Sequence, residues 1–212
     1  MQHNTKVAVI GGTGKSGRYL VQQLLNGGYC FKMLIRHPEQ FNIKSPQIEI
    51  VQGDARNYNA VLSLISGCHA VISTLGQPKG ESPIFSDATT NVIRAMNECG
   101  IKRYILITGL NVDTAFDKKG AKTTMATEWM KANYPQTTAD KQTELNILSA
   151  SNIDWTLVRL PLIEMTDKIS ALQISLEDCP GDKISAASLA EFLTLQLFET
   201  GYVRRCPFIA NE

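Results

Sequence analysis

The chain has 212 residues, of which 43% are hydrophobic and 19% charged, with a formal net charge of +1. That is the composition of an ordinary globule, and so small a charge argues against nucleic acid or an anionic membrane as a partner. No long apolar run or signal-peptide pattern is present, and the five cysteines and three histidines form neither a C-x-x-C motif nor a cluster. The expectation is a reduced, cytoplasmic protein without metal.

Val7, Ala8, Val9 and Ile10 make an uninterrupted apolar run, as in a strand buried on both faces of a parallel sheet. Gly12, Gly14 and Gly17 then satisfy G-x-G-x-x-G, with Gly11, Thr13, Lys15 and Ser16 completing the stretch. Leu20, Val21, Leu24 and Leu25 continue at helical spacing, so the glycines sit on a strand-to-helix turn. Such a turn holds a dinucleotide. Glycines let the chain turn tightly and let backbone N–H groups approach a pyrophosphate, which the positive end of the helix dipole also favours. A P-loop is excluded, because G-x-x-x-x-G-K-[ST] would need glycine where Val9 stands. Lys15 is either a helix-start cation near the phosphates or a solvated side chain.

A second strand, 31–35, ends at Arg36, where an NAD site has an acid for the ribose hydroxyls. A guanidinium there suits the 2′-phosphate of NADP; the plainer alternative is a solvated strand-end charge. Strand three, 48–51, leads to Gly53, Asp54 and Ala55. Asp54 can accept from an adenine amino group while the next N–H, that of Ala55, donates to the ring; alternatively Asp54 or Asn57 caps the helix carrying Val61, Leu62 and Ile65. Strand four, 70–73, ends in Thr74, Leu75 and Gly76 beside the second ribose, and 77–86, with Pro78, Gly80 and Pro83, reads as a loop bordering the cleft.

Thr89, Val92, Ile93, Met96 and Cys99 form one stripe of a helix, with Asp87 a possible cap and Gly100 as its stop. Strand five, 104–107, ends in Thr108 and Gly109. Residues 111–137 show little periodicity and read as irregular structure with one short helix, a pattern that often marks function. Thr137 to Asp140 fits a capping box for a helix reaching Ala150. Strand six, 153–160, is closed by Pro161; a helix with Leu189, Phe192, Leu193 and Leu197 and a short strand at 207–209 complete the chain. The alternation implies an α/β fold: a doubly wound parallel sheet, the NAD(P)-binding Rossmann arrangement, as a single domain over 1–212. Gly14, Arg36, Asp54, Leu75 and Thr108 follow successive strands, so the cofactor should cross their C-terminal ends, with 77–86, 111–137 and 161–182 forming the substrate cleft.

With these residues placed, the sequence resembles the atypical short-chain dehydrogenase/reductases of the NmrA-like NAD(P)-binding family, in particular its biliverdin IX-beta reductase and flavin reductase branch. The resemblance rests on 7–17, Leu-Ile-Arg-His-Pro (34–38), Gly-Asp-Ala (53–55) and Ser-Thr-Leu-Gly (73–76). It continues in Ser-Asn-Ile-Asp-Trp-Thr-Leu-Val-Arg-Leu-Pro (151–161) and in 182–192. It implies NADP bound in the order above, with Pro161 and Leu162 near the nicotinamide. Thr108 matches a serine or threonine of relatives, which polarises a substrate carbonyl or merely ends the strand.

Tyrosine-dependent relatives use Tyr-x-x-x-Lys; here Thr137 stands four residues before Lys141, and Tyr134 seven. Lys141 shares a helical face with Leu145 and Leu148, and either donates to a ribose hydroxyl or snorkels into a surface ion pair. An exposed lysine would be protonated at neutral pH. The expected activity is NADPH-dependent hydride transfer to a planar conjugated small molecule of flavin, quinone or tetrapyrrole type, a reaction that needs orientation above all. The missing tyrosine also suits a non-catalytic NADP-binding redox sensor with a protein partner. An epimerase or dehydratase is a weaker reading, because only about 50 residues follow strand six.

Overall fold

The computed structural model describes residues 5–77 and 80–212; His3 and Pro78 lie outside the described residues. The chain begins β1 (Lys6–Ile10), α1 (Gly17–Asn26), β2 (Cys30–Ile35), β3 (Ile48–Gln52), α2 (Tyr58–Ile65), β4 (Ala70–Ser73), α3 (Phe85–Cys99) and β5 (Arg103–Gly109). Two consecutive helices follow, α4 (Ala121–Asn133) and α5 (Pro135–Ala150). Then come β6 (Asp154–Leu160), β7 (Leu162–Glu164), β8 (Leu172–Ser175), β9 (Lys183–Ser185), α6 (Ala186–Leu195) and β10 (Phe208–Asn211).

The main sheet has the order β3-β2-β1-β4-β5-β6-β10-β8. Its strands pair in parallel until β8, which runs antiparallel to β10. β1 lies between β2 and β4, with Val9 opposite Met33 on one side and Ile72 on the other. The strand order reverses there, which opens a crevice at the C-terminal strand ends. Strand side chains alternate between two apolar layers. Ala8, Ile10, Val71, Leu106 and Leu157 meet α2, α3 and α5 through Val61, Val92 and Leu148. Val7, Val9, Met33, Ile72 and Val158 meet α1 and α6 through Leu20, Leu24 and Leu193. With both faces covered, β1 has no solvent side, hence its unbroken apolar run.

Several boundaries differ from expectation. Region 111–137 contains a helix of 13 residues, α4, which buries Thr123 and Thr127 and so has no apolar stripe to betray it. α5 starts at Pro135 rather than Thr137; Tyr134 precedes it without a side-chain cap, and the proline's fixed φ begins the first turn. Asp87 lies within the first turn of α3 and is not its cap. Asp140 of α5 serves instead, accepting from the Phe85 N–H at 2.8 Å and from the Ser86 hydroxyl. Asn57 caps α2, accepting from the Ala60 N–H at 3.1 Å. The short strands β7, β8 and β9 carried no pattern long enough to read, and β10 runs to Asn211. No helix among the described residues is long and apolar enough to cross a membrane.

Arg159, fully buried on β6, fastens the far side of the sheet. It bonds Asp117 at 2.6 Å and the carbonyls of Val112, Leu176 and Cys206, and its guanidinium stacks 3.5 Å from the Phe208 ring centroid.

Candidate cofactor-binding site

The turn after β1 is built by close backbone approach. Gly11 has φ +78°, and a Cβ there would lie 2.6 Å from the Thr74 carbonyl carbon, so the turn rests directly on the end of β4. At Gly17 a Cβ would fall 2.1 Å from the Gly11 oxygen. Neither position tolerates a side chain. Ser16 precedes α1 without a side-chain cap, and no acid occupies the first turn, so no local carboxylate competes for its N–H groups. That is the chemistry of an anion site.

A cavity of about 710 Å³ opens over this turn. Gly11, Thr13, Gly14, Lys15 and Ser16 line one end; Arg36, Asp54 and Ala55 another; and Thr74, Leu75 and Gly76 the side between them. The expected cofactor residues of the first four strand ends therefore share one space of ordinary ligand size. Gly12 and Gly17 lie outside the lining, as packing positions.

Four charged groups meet at the Arg36 end. Arg36 and Arg56 each bond the Glu81 carboxylate at 2.9 Å, and their guanidiniums lie 3.9 and 3.6 Å from Asp54. The hydrogen bond from Arg36, then that from Arg56, holds the Glu81 carboxyl below its usual pKa. Asp54 also accepts from the Arg56 N–H at 2.8 Å. Arg56 and Glu81 escaped the sequence reading, because neither belongs to a motif and Glu81 joins Arg36 across 45 residues.

Thr108 and Lys141 do not line this cavity. Thr108 is buried on β5, and its hydroxyl has no partner among the described residues. Lys141 is half-buried, with its amine 4.7 Å from the centroid of the Phe85 ring, and loss of water lowers its pKa. Its neighbour Glu144, also missed from sequence, is buried and accepts from the Thr89 hydroxyl at 2.7 Å. Burial pushes the Glu144 carboxyl up to about 7. Pro161 and Leu162 line a different cavity, of about 790 Å³, with Leu110, Thr123 and Cys179. Ile163, next in sequence, faces the first cavity, so β7 borders both spaces.

These residues fit a dinucleotide: a glycine turn at a helix N-terminus whose first turn holds no acid, and two guanidiniums, Arg36 and Arg56, gathered at the end of the cavity that Arg36 lines. Comparison with known proteins agrees. A family model described as NAD(P)H-binding matches residues 11–200. Isoflavone reductase homolog A622 of Nicotiana tabacum is 33% identical over 115 residues, which is 50% of this chain and 35% of that protein. The chain thus spans about a third of the length of such relatives. A short-chain dehydrogenase/reductase from Veillonella parvula, solved in complex with NADP, superposes with a TM-score of 0.79 at 14% identity, covering 98% of this chain and 94% of its own. ChuY of Escherichia coli O157:H7, described as an anaerobilin reductase, gives 0.80 at 20% identity, covering 98% and 97%. The chain belongs to the NAD(P)H-binding family and has the fold of the short-chain dehydrogenase/reductases.

Proposed function

We propose that the protein is an NADPH-dependent reductase of a planar conjugated acceptor. The observation that carries this reading is the convergence of Arg36 and Arg56 on one carboxylate at the ribose end of the cleft. A phosphate monoester has the charge and the acceptor oxygens to take Glu81's place between them. NADPH, when bound, supplies the hydride. The backbone N–H groups of 15–17 hold the pyrophosphate, and Arg36 and Arg56 hold the 2′-phosphate. Asp54 and Ala55 receive the adenine, and Thr74 to Gly76 flank the second ribose. Thr108 and Lys141, the donors expected at the nicotinamide, lie outside the lining of that cavity.

The roughly 790 Å³ cavity beside Pro161 and Leu162 has room for a flat acceptor. No Tyr-x-x-x-Lys pair serves it, which suits an acceptor that takes its proton from water. Reductases among the relatives support the class of reaction, and the anaerobilin of the ChuY description supports a linear tetrapyrrole as one candidate acceptor, beside flavins and quinones.

The test mixes the protein with NADPH and, in turn, a flavin, a quinone and a linear tetrapyrrole, and follows the absorbance of the reduced nicotinamide. Saturable oxidation with one of these is expected. Tight NADPH binding without turnover of any of them would instead favour a redox sensor.

A further inference from the structure

A second ligand site lies away from the cofactor cleft. Between α5, the segment after β5 and the turn before β10 is a cavity of about 560 Å³, within the range of small-molecule sites. It shares no lining residue with the other two cavities. Trp155 in its wall stands near the N-terminal end of β6, whereas Pro161 follows the C-terminal end, roughly 20 Å further along the strand.

The wall is part apolar and part cationic. Leu145 and Trp155 are buried within it, and Phe116 and Leu176 line it while remaining 68% and 38% exposed. The indole N–H of Trp155 is buried without an acceptor among the described residues. The two acids of the wall are already engaged: Asp113 pairs with Lys119 at 2.6 Å and Lys131 at 3.3 Å, and Glu177 with Lys118 at 2.7 Å. Of its three arginines, Arg159 is paired with Asp117, whereas Arg204 and Arg205 are not paired with any acid among the described residues. Arg204 bonds the carbonyls of Ser149, Ser151 and Ile153, and Arg205 has the Phe116 ring 5.9 Å away.

Backbone strain accompanies them. Arg204 has φ 56°, the sole positive value at a non-glycine position among the described residues. A left-handed arginine is costly and persists where the surroundings impose it. Here it turns the chain where Arg204 and Arg205 join the same wall. Engaged acids, an exposed guanidinium and an apolar floor together select a negative charge on an apolar body.

We propose that this cavity binds a small aromatic or otherwise flat monoanion, such as a carboxylate, with Arg205 as its counter-ion and Leu145, Trp155 and Phe116 against its apolar face. The site is independent of the cofactor and of the proposed reduction.

2-Naphthoate is the probe. Calorimetric titration, with and without saturating NADPH, should show one binding event that NADPH does not abolish. Trp155 is the sole tryptophan left in a Trp129→Phe variant, and its fluorescence should change in parallel. Arg205→Gln, at an exposed position, should weaken binding about tenfold, the effect of one charge-assisted contact. The neutral 2-naphthamide should bind weakly by comparison. Displacement by NADPH would put the probe in the cofactor cleft and overturn the proposal. Equal binding of the amide, indifference to Arg205→Gln, or no binding at all would also overturn it.

Discussion

At Arg36, Arg56 and Glu81 an internal carboxylate stands where the proposed reading puts a phosphate. Both guanidiniums are partly solvated, so each ion pair contributes little to stability and can be exchanged for a ligand. Arg36→Ala should erase most of a roughly tenfold preference for NADPH over NADH, about 1.4 kcal/mol, as measured by calorimetry with both cofactors. Glu81→Gln should do the opposite, tightening NADPH about threefold and leaving NADH unchanged, because only the 2′-phosphate competes with that carboxylate. Glu144 has a different kind of signature. Its folded pKa, about 7, lies above the ordinary 4.5, so the fold favours the protonated form. That contribution is complete below pH 4.5 and disappears as pH rises through 7. Urea midpoints at either end of this window should differ less in Glu144→Gln than in the parent.

Among the elements, the segment after β5 carries a buried ion pair to its neighbouring strand. Its place against β6 rests on Arg159, fully buried, and Asp117, 10% exposed, at 2.6 Å. Breaking such a pair leaves a charge without compensation, whereas replacing both members by apolar groups is often neutral. Asp117→Ala should therefore cost about 3 kcal/mol in urea unfolding, and Arg159→Met with Asp117→Leu should recover most of it. NADPH affinity should survive in the double variant, because neither residue lines the cofactor cavity.

For the whole molecule, a ligand that binds the folded chain alone raises stability by mass action. NADPH at a hundred times its dissociation constant should add about 2.7 kcal/mol, a rise in Tm of about 5–10 °C for a chain of this size. NADH at the same concentration should give a smaller shift, read in one thermal melt per cofactor. The two apolar layers tie α1 and α6 to one face of the sheet and α2, α3 and α5 to the other. The cofactor cleft crosses the strand ends between these layers, so its occupancy should stabilise both together.

Local chemistry made the first third of the site legible. The run from Val7 to Ile10, the glycines that follow and the helical spacing of Leu20 to Leu25 all lie within one unit of chain. Each signal there is a property of neighbouring residues. Arg36 was legible for the same reason, as the residue that ends β2, and Gly100 as the left-handed stop of α3, with φ +70°. α4 was not, because a helix that buries two threonines leaves no periodic apolar stripe. Glu81 became the shared partner of Arg36 and Arg56 only when the loop after β4 folded over the end of β3. The altered proton affinities of Lys141 and Glu144 come from water removed by packing against α3, at Phe85 and Thr89, which no spacing along α5 encodes. The sequence by itself determined the parallel α/β order and the dinucleotide turn, since both arise from local periodicity and glycine conformation. Tertiary structure alone decided which distant charges meet and which ionisable groups lose their solvent, because those depend on contacts between segments far apart in the chain.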